Sequence, residues 1–477
     1  MASIKSEMLK GVLFNAIARY SGIFIQLVVT AILARQLTPD EFGVASICTV
    51  VMAFFNLFTE MGVGIAIVQR QDLGKKDYDS IFSFSIYMAF GLTAVYTLLA
   101  YPIANWYGKH DLVGYLLLLG VALFFATVNM VPNGLLLKSK RFGFIASRTL
   151  VIQILSGIIS CWAAVKGYGV YALLIAPILS NFLVFLVNYI QQPLRFSFIF
   201  DTTALRSIWS YSVYQFLFCT VNYFARNLDK LLTGKWLTMQ QLGHYDKSYR
   251  LVLLPMQNIS GVINPIIQPV LAEYQNDRQR LGGYMLKILK TINLICFPLS
   301  IVGYFCAAET MILFFGRQWW EAVPCFQVLC LSIGFQAANH ITGAFFQVAN
   351  STKSLFWCGL LNSAITISAL LVALLLFQNI YAVAVSFSLA YAINYVLIYI
   401  ILFSKIYPHR LTDFMKGMKH PLLLSFLLCI VYLAMEILLS YPKSLVYSLL
   451  IKIGIALIVV SSYYAAIGFS PKHIFRK

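Results

Sequence analysis

Apolar runs long enough to cross ~30 Å of hydrocarbon as helix follow one another along this chain almost without a break. In lipid every backbone polar group must find its partner inside the protein, and a helix does this within its own segment. The runs predict an all-α integral membrane protein with about fourteen transmembrane helices. They fall near 11–34, 42–67, 80–104, 114–136, 143–164, 169–191, 207–234, 242–268, 284–308, 322–347, 355–376, 379–403, 420–440 and 445–467. Composition agrees: 60% of the 477 residues are hydrophobic and 11% charged, where soluble domains carry about 25% charged residues. The first run is too long for a signal-peptide core and lacks a small-residue cleavage site, so it reads as a retained span.

Between the spans, basic residues alternate in density. Of the 35 Lys and Arg, 23 fall in one set of loops and ends, among them Lys76, Lys140, Arg280, Lys353, Lys416 and Lys477. The positive-inside rule makes that set cytoplasmic, with both termini on that side. The formal charge of +18 then needs no nucleic acid as partner; anionic membrane lipid suffices. No loop exceeds about 20 residues, too short for a soluble domain. The nine cysteines lie mostly in apolar runs without CxxC or metal-ligand spacing and read as small hydrophobes.

The chain also repeats itself. Residues 34–43 (Ala34 to Gly43) align with 234–243 (Gly234 to Gly243), and Trp106-Tyr107-Gly108-Lys109 echoes Phe314-Phe315-Gly316-Arg317 after the third span of each half. Six spans per unit makes the repeats parallel, related by an axis along the membrane normal. The expected organisation is an N-lobe at 1–206, a C-lobe at 207–403 and two extra helices in 404–477, with the lobes around a central cavity.

Charge inside a bilayer costs about 2.5–3.5 kcal/mol per residue even on insertion scales, so intramembrane polar residues mark function. Span 7 carries Gln215, Asn222, Arg226, Asp229 and Lys230 at helical spacing; span 1 carries Asn15, Arg19 and Gln26. Span 2 adds Asn56 and Glu60, and span 8 adds Lys247, Arg250, Gln257 and Asn258. The candidate cavity residues are Arg19, Asn15, Gln26, Asn222, Arg226, Asp229, Lys230, Arg250, Glu60, Gln257 and Asn258. The four cations Arg19, Arg226, Lys230 and Arg250 outnumber Glu60 and Asp229, a balance that suits an anionic head group, and Arg presents a fork for phosphate. Against this, Asp229 can simply neutralise Arg226 and Lys230, and Lys247 and Arg250 can snorkel to an interface. Arg19 lies about 12 Å deep at 1.5 Å per residue, without an acid one turn away. No nucleophile motif, dinucleotide fingerprint, Walker sequence or metal constellation occurs, so neither catalysis nor a cofactor is expected. Transport would draw on an ion gradient, the substrate gradient or a separate partner.

Particular stretches carry a resemblance: Leu33-Ala34-Arg35-Gln36-Leu37-Thr38-Pro39-Asp40-Glu41-Phe42-Gly43, Glu60-Met61-Gly62-Val63-Gly64, Arg226-Asn227-Leu228-Asp229-Lys230, and Leu254-Pro255-Met256-Gln257-Asn258-Ile259-Ser260. Over essentially its whole length the chain resembles the polysaccharide-transport (Wzx-type) flippases of the MOP superfamily, in the branch of the colanic-acid exporter. The resemblance implies a two-lobed fold and a substrate, an undecaprenyl-pyrophosphate-linked oligosaccharide moved across the bacterial cytoplasmic membrane for surface polysaccharide (O-antigen, capsule or exopolysaccharide). It also implies that basic residues of spans 1, 2, 7 and 8 receive the pyrophosphate and sugar, here Arg19, Arg226 and Arg250, with H+ or Na+ as coupling ion. Position 60 is Glu where Asp is expected, and span 2 lacks a central basic residue. Two other readings stand beside it: an ion-coupled multidrug or cation antiporter of the same superfamily, which a basic cavity disfavours, and a membrane-embedded glycan polymerase or ligase, which would need a sizeable catalytic loop.

Overall fold

The computed structural model describes the chain apart from residues 1, 60–63, 65–66, 69–72, 199–219, 221–222, 225–226, 272–273, 275–276, 408–409, 439–443 and 469–477; for 2–18, 257, 259–266, 268–270 and 352 it describes the backbone alone. The described residues are overwhelmingly helical and contain no strand. They form two compact units, Met1–Gly243 and His244–Lys477.

The first unit holds α1 (Ala2–Gln36), α2 (Pro39–Thr59), α3 (Lys75–Tyr107), α4 (Leu112–Val128), α5 (Met130–Lys138), α6 (Phe142–Val165) and α7 (Val170–Gln191), then helical turns at 227–236 and the start of α8 (Met239–Leu271). The second continues α8 with α9 (Arg278–Phe305), α10 (Ala307–Phe315), α11 (Val323–Leu331), α12 (Ile333–Val348), α13 (Thr352–Val372), α14 (Ile380–Ile401), α15 (Leu411–Gly417), α16 (Lys419–Leu438) and α17 (Leu445–Ala466). Ten helices among the described residues are long and apolar enough to span a membrane, eleven if α11 and α12 make one span. This fits the expected fourteen: span 7 lies largely outside the described residues, and the polar spans 1 and 8 are present as α1 and α8.

Two spans are not the unbroken helices the runs suggest. The fourth stops at Asn129, and α5 restarts so that Pro132 occupies its first turn, where a missing N–H costs no helix bond. The tenth bends by 50° at Ser332. There the Gly334 N–H donates to Ser300 Oγ of α9 at 3.0 Å instead of to the preceding turn, a side chain inserted into the helix ladder.

The internal repeat proves to be a capped helix start. Thr38 N–H donates to Glu41 Oε2 at 2.7 Å while Glu41 N–H reaches Thr38 Oγ1 at 3.4 Å, a capping box with Pro39 at the first helical position. At the second copy Gln241 N–H donates to Thr238 Oγ1 at 3.2 Å. The other echo, Gly108 and Gly316, ends α3 and α10 with φ of +66° and +102°; the first is a left-handed helical cap and the second an extended turn, and glycine adopts both without strain.

The two capped starts pack on each other. A Cβ on Gly43 would lie 1.8 Å from the Met239 carbonyl oxygen, and one on Gly243 would lie 1.9 Å from that of Pro39. The contact is reciprocal, backbone against backbone. Around it Lys109 pairs with Asp40 at 3.1 Å, the Tyr107 hydroxyl donates to the Leu231 carbonyl at 3.2 Å, and Lys235 Nζ donates to the Trp106 carbonyl.

Gly43→Ala and Gly243→Ala should each destabilise the protein, by the ~1–3 kcal/mol of overpacking or more, since the obstacle is backbone rather than a flexible side chain. The double variant should cost less than the sum of the singles, because one parting of the two helix ends relieves both clashes. Thermal melts of the detergent-purified variants measure this; full additivity would contradict the shared contact.

Candidate functional site

On α1 the residues sort by face. Gly22 and Val29 pack on α6, where Gln153 Nε2 donates to the Gly22 carbonyl at 2.9 Å and a Cβ on Gly157 would meet the Val29 side chain at 2.6 Å. Tyr20, Phe24, Val28 and Ile32, one turn apart, are exposed and apolar. Arg19 and Gln26 are exposed too, two turns apart on a separate stripe. Arg19 and Gln26 thus share a face distinct from both the packed and the apolar one. The Asn15 side chain lies outside the described residues.

In the helical stretch before α8, Asp229 is buried, Lys230 is half-buried, and Asn227 Nδ2 donates to the Tyr223 carbonyl at 3.0 Å. Tyr223 is itself buried and donates to the Val50 carbonyl of α2. Asn222, Arg226 and Glu60 lie outside the described residues, as does the Gln257 side chain. On α8 Arg250 is exposed. Asn258 Nδ2 donates to the Leu254 carbonyl at 2.8 Å, while its buried Oδ1 has no partner among the described residues. Lys247 does not snorkel: it is 2% exposed and lies 3.9 Å from the equally buried Asp246. His244, also buried, lies 3.4 Å from Glu321. The start of α8 thus meets the charge of Lys247 with that of Asp246, and Arg250, one turn past Asp246, is exposed.

The connector after α7 is irregular through 198 and pinned to α3. Arg195 N–H donates to Asp79 Oδ1 at 2.8 Å and Ser197 N–H to Ser83 Oγ at 2.9 Å. No group of His, Cys, Asp or Glu suited to a metal ion occurs among the described residues.

Sequence reasoning missed one buried ion pair. Lys452 of α17 donates to Glu309 Oε1 of α10 at 2.5 Å and to the Phe305 carbonyl at 2.7 Å, and Ser448 adds a bond to the same carboxylate oxygen at 2.7 Å. Both charged side chains are 7% exposed. A lysine in the middle of an apolar run is a signal the sequence contains, and its partner sits 143 positions away, where no local pattern reveals it.

The sequence profile of the family described as "Polysaccharide biosynthesis protein" matches residues 32–324, well over half the chain. The chain belongs to this family. Among its relatives is an uncharacterized membrane protein in the cps region of Klebsiella pneumoniae, 27% identical over 74% of this chain and 71% of the relative. Another is the succinoglycan biosynthesis transport protein ExoT of Rhizobium meliloti, 21% identical over 72% and 70%. The fold matches the lipid II flippase MurJ in its inward closed conformation with a TM-score of 0.75 at 15% identity, covering 96% of this chain and 98% of that one. The fold is thereby shared along nearly the full length of both chains.

Removing one partner of the Lys452–Glu309 pair should cost about 3–5 kcal/mol, because the other charge stays buried and uncompensated. Lys452→Met should lower the melting temperature sharply, and Lys452→Met with Glu309→Leu should recover most of the loss. A double variant no more stable than the single would show that the pair is not what holds α17 on α10.

Proposed function

We propose that the chain is a flippase for lipid-linked oligosaccharide, a transporter and not a catalyst, which carries undecaprenyl-pyrophosphate-linked repeat units from the cytoplasmic to the outer leaflet of a bacterial cytoplasmic membrane. The observation that carries the reading is membership of a polysaccharide biosynthesis family in a chain whose apolar helices make it a multi-span membrane protein. The relative ExoT, named as a transport protein for such a polymer, and the fold shared with a lipid II flippase support it. Arg19 and Gln26, exposed on a stripe of their own on α1, and the exposed Arg250 on α8 are the groups we assign to the anionic head group. Arg226, Asn222, Glu60, Asn15 and Gln257 complete the proposed set on sequence alone, with Asn258 and Lys230. Asp229, buried beside Lys230, is assigned a neutralising role, since a buried carboxylate needs compensation. Access alternates by movement of the two six-span repeats, 1–206 against 207–403, driven by a proton or sodium gradient.

The distribution of Lys and Arg supports cytoplasmic termini. Reporter fusions at Lys76, Lys140 and Lys416 should read cytoplasmic, and fusions at Lys109 and Arg317 external; an external Lys140 with a cytoplasmic Lys109 would reverse the orientation.

A charge-assisted bond from Arg19 to phosphate is worth about 1.5–3 kcal/mol, or about ten- to a hundredfold in affinity. Cells with Arg19→Ala at normal protein level should accumulate lipid-linked repeat units and lose most export. Arg19→Lys should restore part, because the charge returns without the fork. Export at the wild-type rate by Arg19→Ala would remove Arg19 from the site.

A further inference from the structure

A basic site lies within the unit His244–Lys477. The stretch 286–293 of α9 and the junction of α15 with α16 line a cavity of about 280 Å³. Leu286, Leu289, Phe414 and Met418 give it an apolar wall, and Lys287, Lys290 and Lys416 stand at it with their side chains exposed. The acid that lines it, Asp413, is held by Arg410 at 3.0 Å. Neither Lys290 nor Lys416 pairs with a carboxylate among the described residues. His420 at its edge shares a hydrogen bond with Tyr463 at 3.1 Å.

Asn293, one turn further along α9 than Lys290, also lines the cavity and is 1% exposed. Its Nδ2 donates to the Tyr395 hydroxyl at 2.9 Å, but its buried Oδ1 has no partner among the described residues. An unmet buried acceptor is destabilising and calls for a donor. Beside the cavity, α16 exposes Leu422, Leu423 and Phe426, an apolar surface against which acyl chains can lie.

We propose that this cavity binds the head group of an anionic glycerophospholipid that carries free hydroxyls, such as phosphatidylglycerol. The phosphodiester meets Lys290 and Lys416, a head-group hydroxyl donates to Asn293 Oδ1, and the acyl chains follow α16. Volume decides against the larger substrate: the cavity falls just below the ~300–1,000 Å³ of ordinary ligand pockets, room for one head group and not for an oligosaccharide. Basic pockets between spans are suited to anionic lipid on electrostatic grounds. The inference needs only that α9 and α16 cross a membrane and does not depend on the flippase reading.

The test is lipid titration of the purified full-length protein in neutral detergent, read by native mass spectrometry, with dioleoyl phosphatidylglycerol, phosphatidic acid and phosphatidylcholine as probes. The first phosphatidylglycerol should bind at least tenfold tighter than phosphatidylcholine, and tighter than phosphatidic acid, which lacks the head-group hydroxyls. Lys290→Gln with Lys416→Gln should bring phosphatidylglycerol down to the phosphatidylcholine level, while Lys290→Arg with Lys416→Arg retains it. Lys166→Gln with Lys353→Gln, an equal loss of charge elsewhere, should leave it unchanged. Equal binding of the neutral lipid, or unaltered phosphatidylglycerol binding in the glutamine variant, would overturn the proposal. So would displacement of phosphatidylglycerol by a polyprenyl pyrophosphate of higher affinity, which would make the cavity part of the substrate path.

Discussion

Two helix starts meet backbone to backbone, at Pro39–Gly43 and Met239–Gly243, and much of the first unit is arranged by that contact. Neither glycine has room for a Cβ, so the approach is fixed by the absence of side chains rather than by complementary ones. A capping box at Thr38 and the bond from Gln241 N–H to Thr238 Oγ1 satisfy orphan N–H groups of both helices at the place where they touch. The salt bridge of Lys109 with Asp40 and the bond of Tyr107 to the Leu231 carbonyl then tie the end of α3 to the same junction. It follows that residues 227–243 belong to the compact unit Met1–Gly243, although the apolar runs place that span at the head of the second repeat.

Polar groups carried into an apolar surrounding divide into two kinds. Lys452 with Glu309 and Lys247 with Asp246 are buried with a counter-charge at hand. The first pair, which joins α17 to α10, fixes which helices lie together more than it adds to stability, since desolvation offsets most of its attraction. Arg19, Gln26 and Arg250 are exposed instead. An exposed guanidinium on a span needs hydration or an anion, and this separates residues that serve assembly from those assigned to the substrate.

Much of the fold was legible because helix in lipid is dictated by run length, and the runs end where α3, α5, α6, α7, α13, α14, α16 and α17 end to within a few residues. The repeat was legible as letters, but its meaning was not. Thr38, Glu41 and Gly43 looked like a motif and proved to be a cap followed by a close approach, which needs both copies in space. The bend at Ser332 was invisible, since it depends on Ser300 of another helix. The stripe of Arg19 and Gln26 was read from spacing, which reports one face of a single helix well. Lys452 stood in plain sight in its run, but its role rests on Glu309, far away in sequence. Pairing across long separations is what one sequence cannot display.

The central claim is translocation itself, and reconstitution tests it most directly. Purified protein in proteoliposomes, with undecaprenyl-pyrophosphate-linked oligosaccharide supplied on one leaflet and a proton or sodium gradient imposed, should move glycan to the opposite leaflet. A membrane-impermeant glycosidase would then reach it far faster than in protein-free vesicles. A rate equal to that of protein-free vesicles under every imposed gradient, from protein that melts as a folded species, would contradict the account.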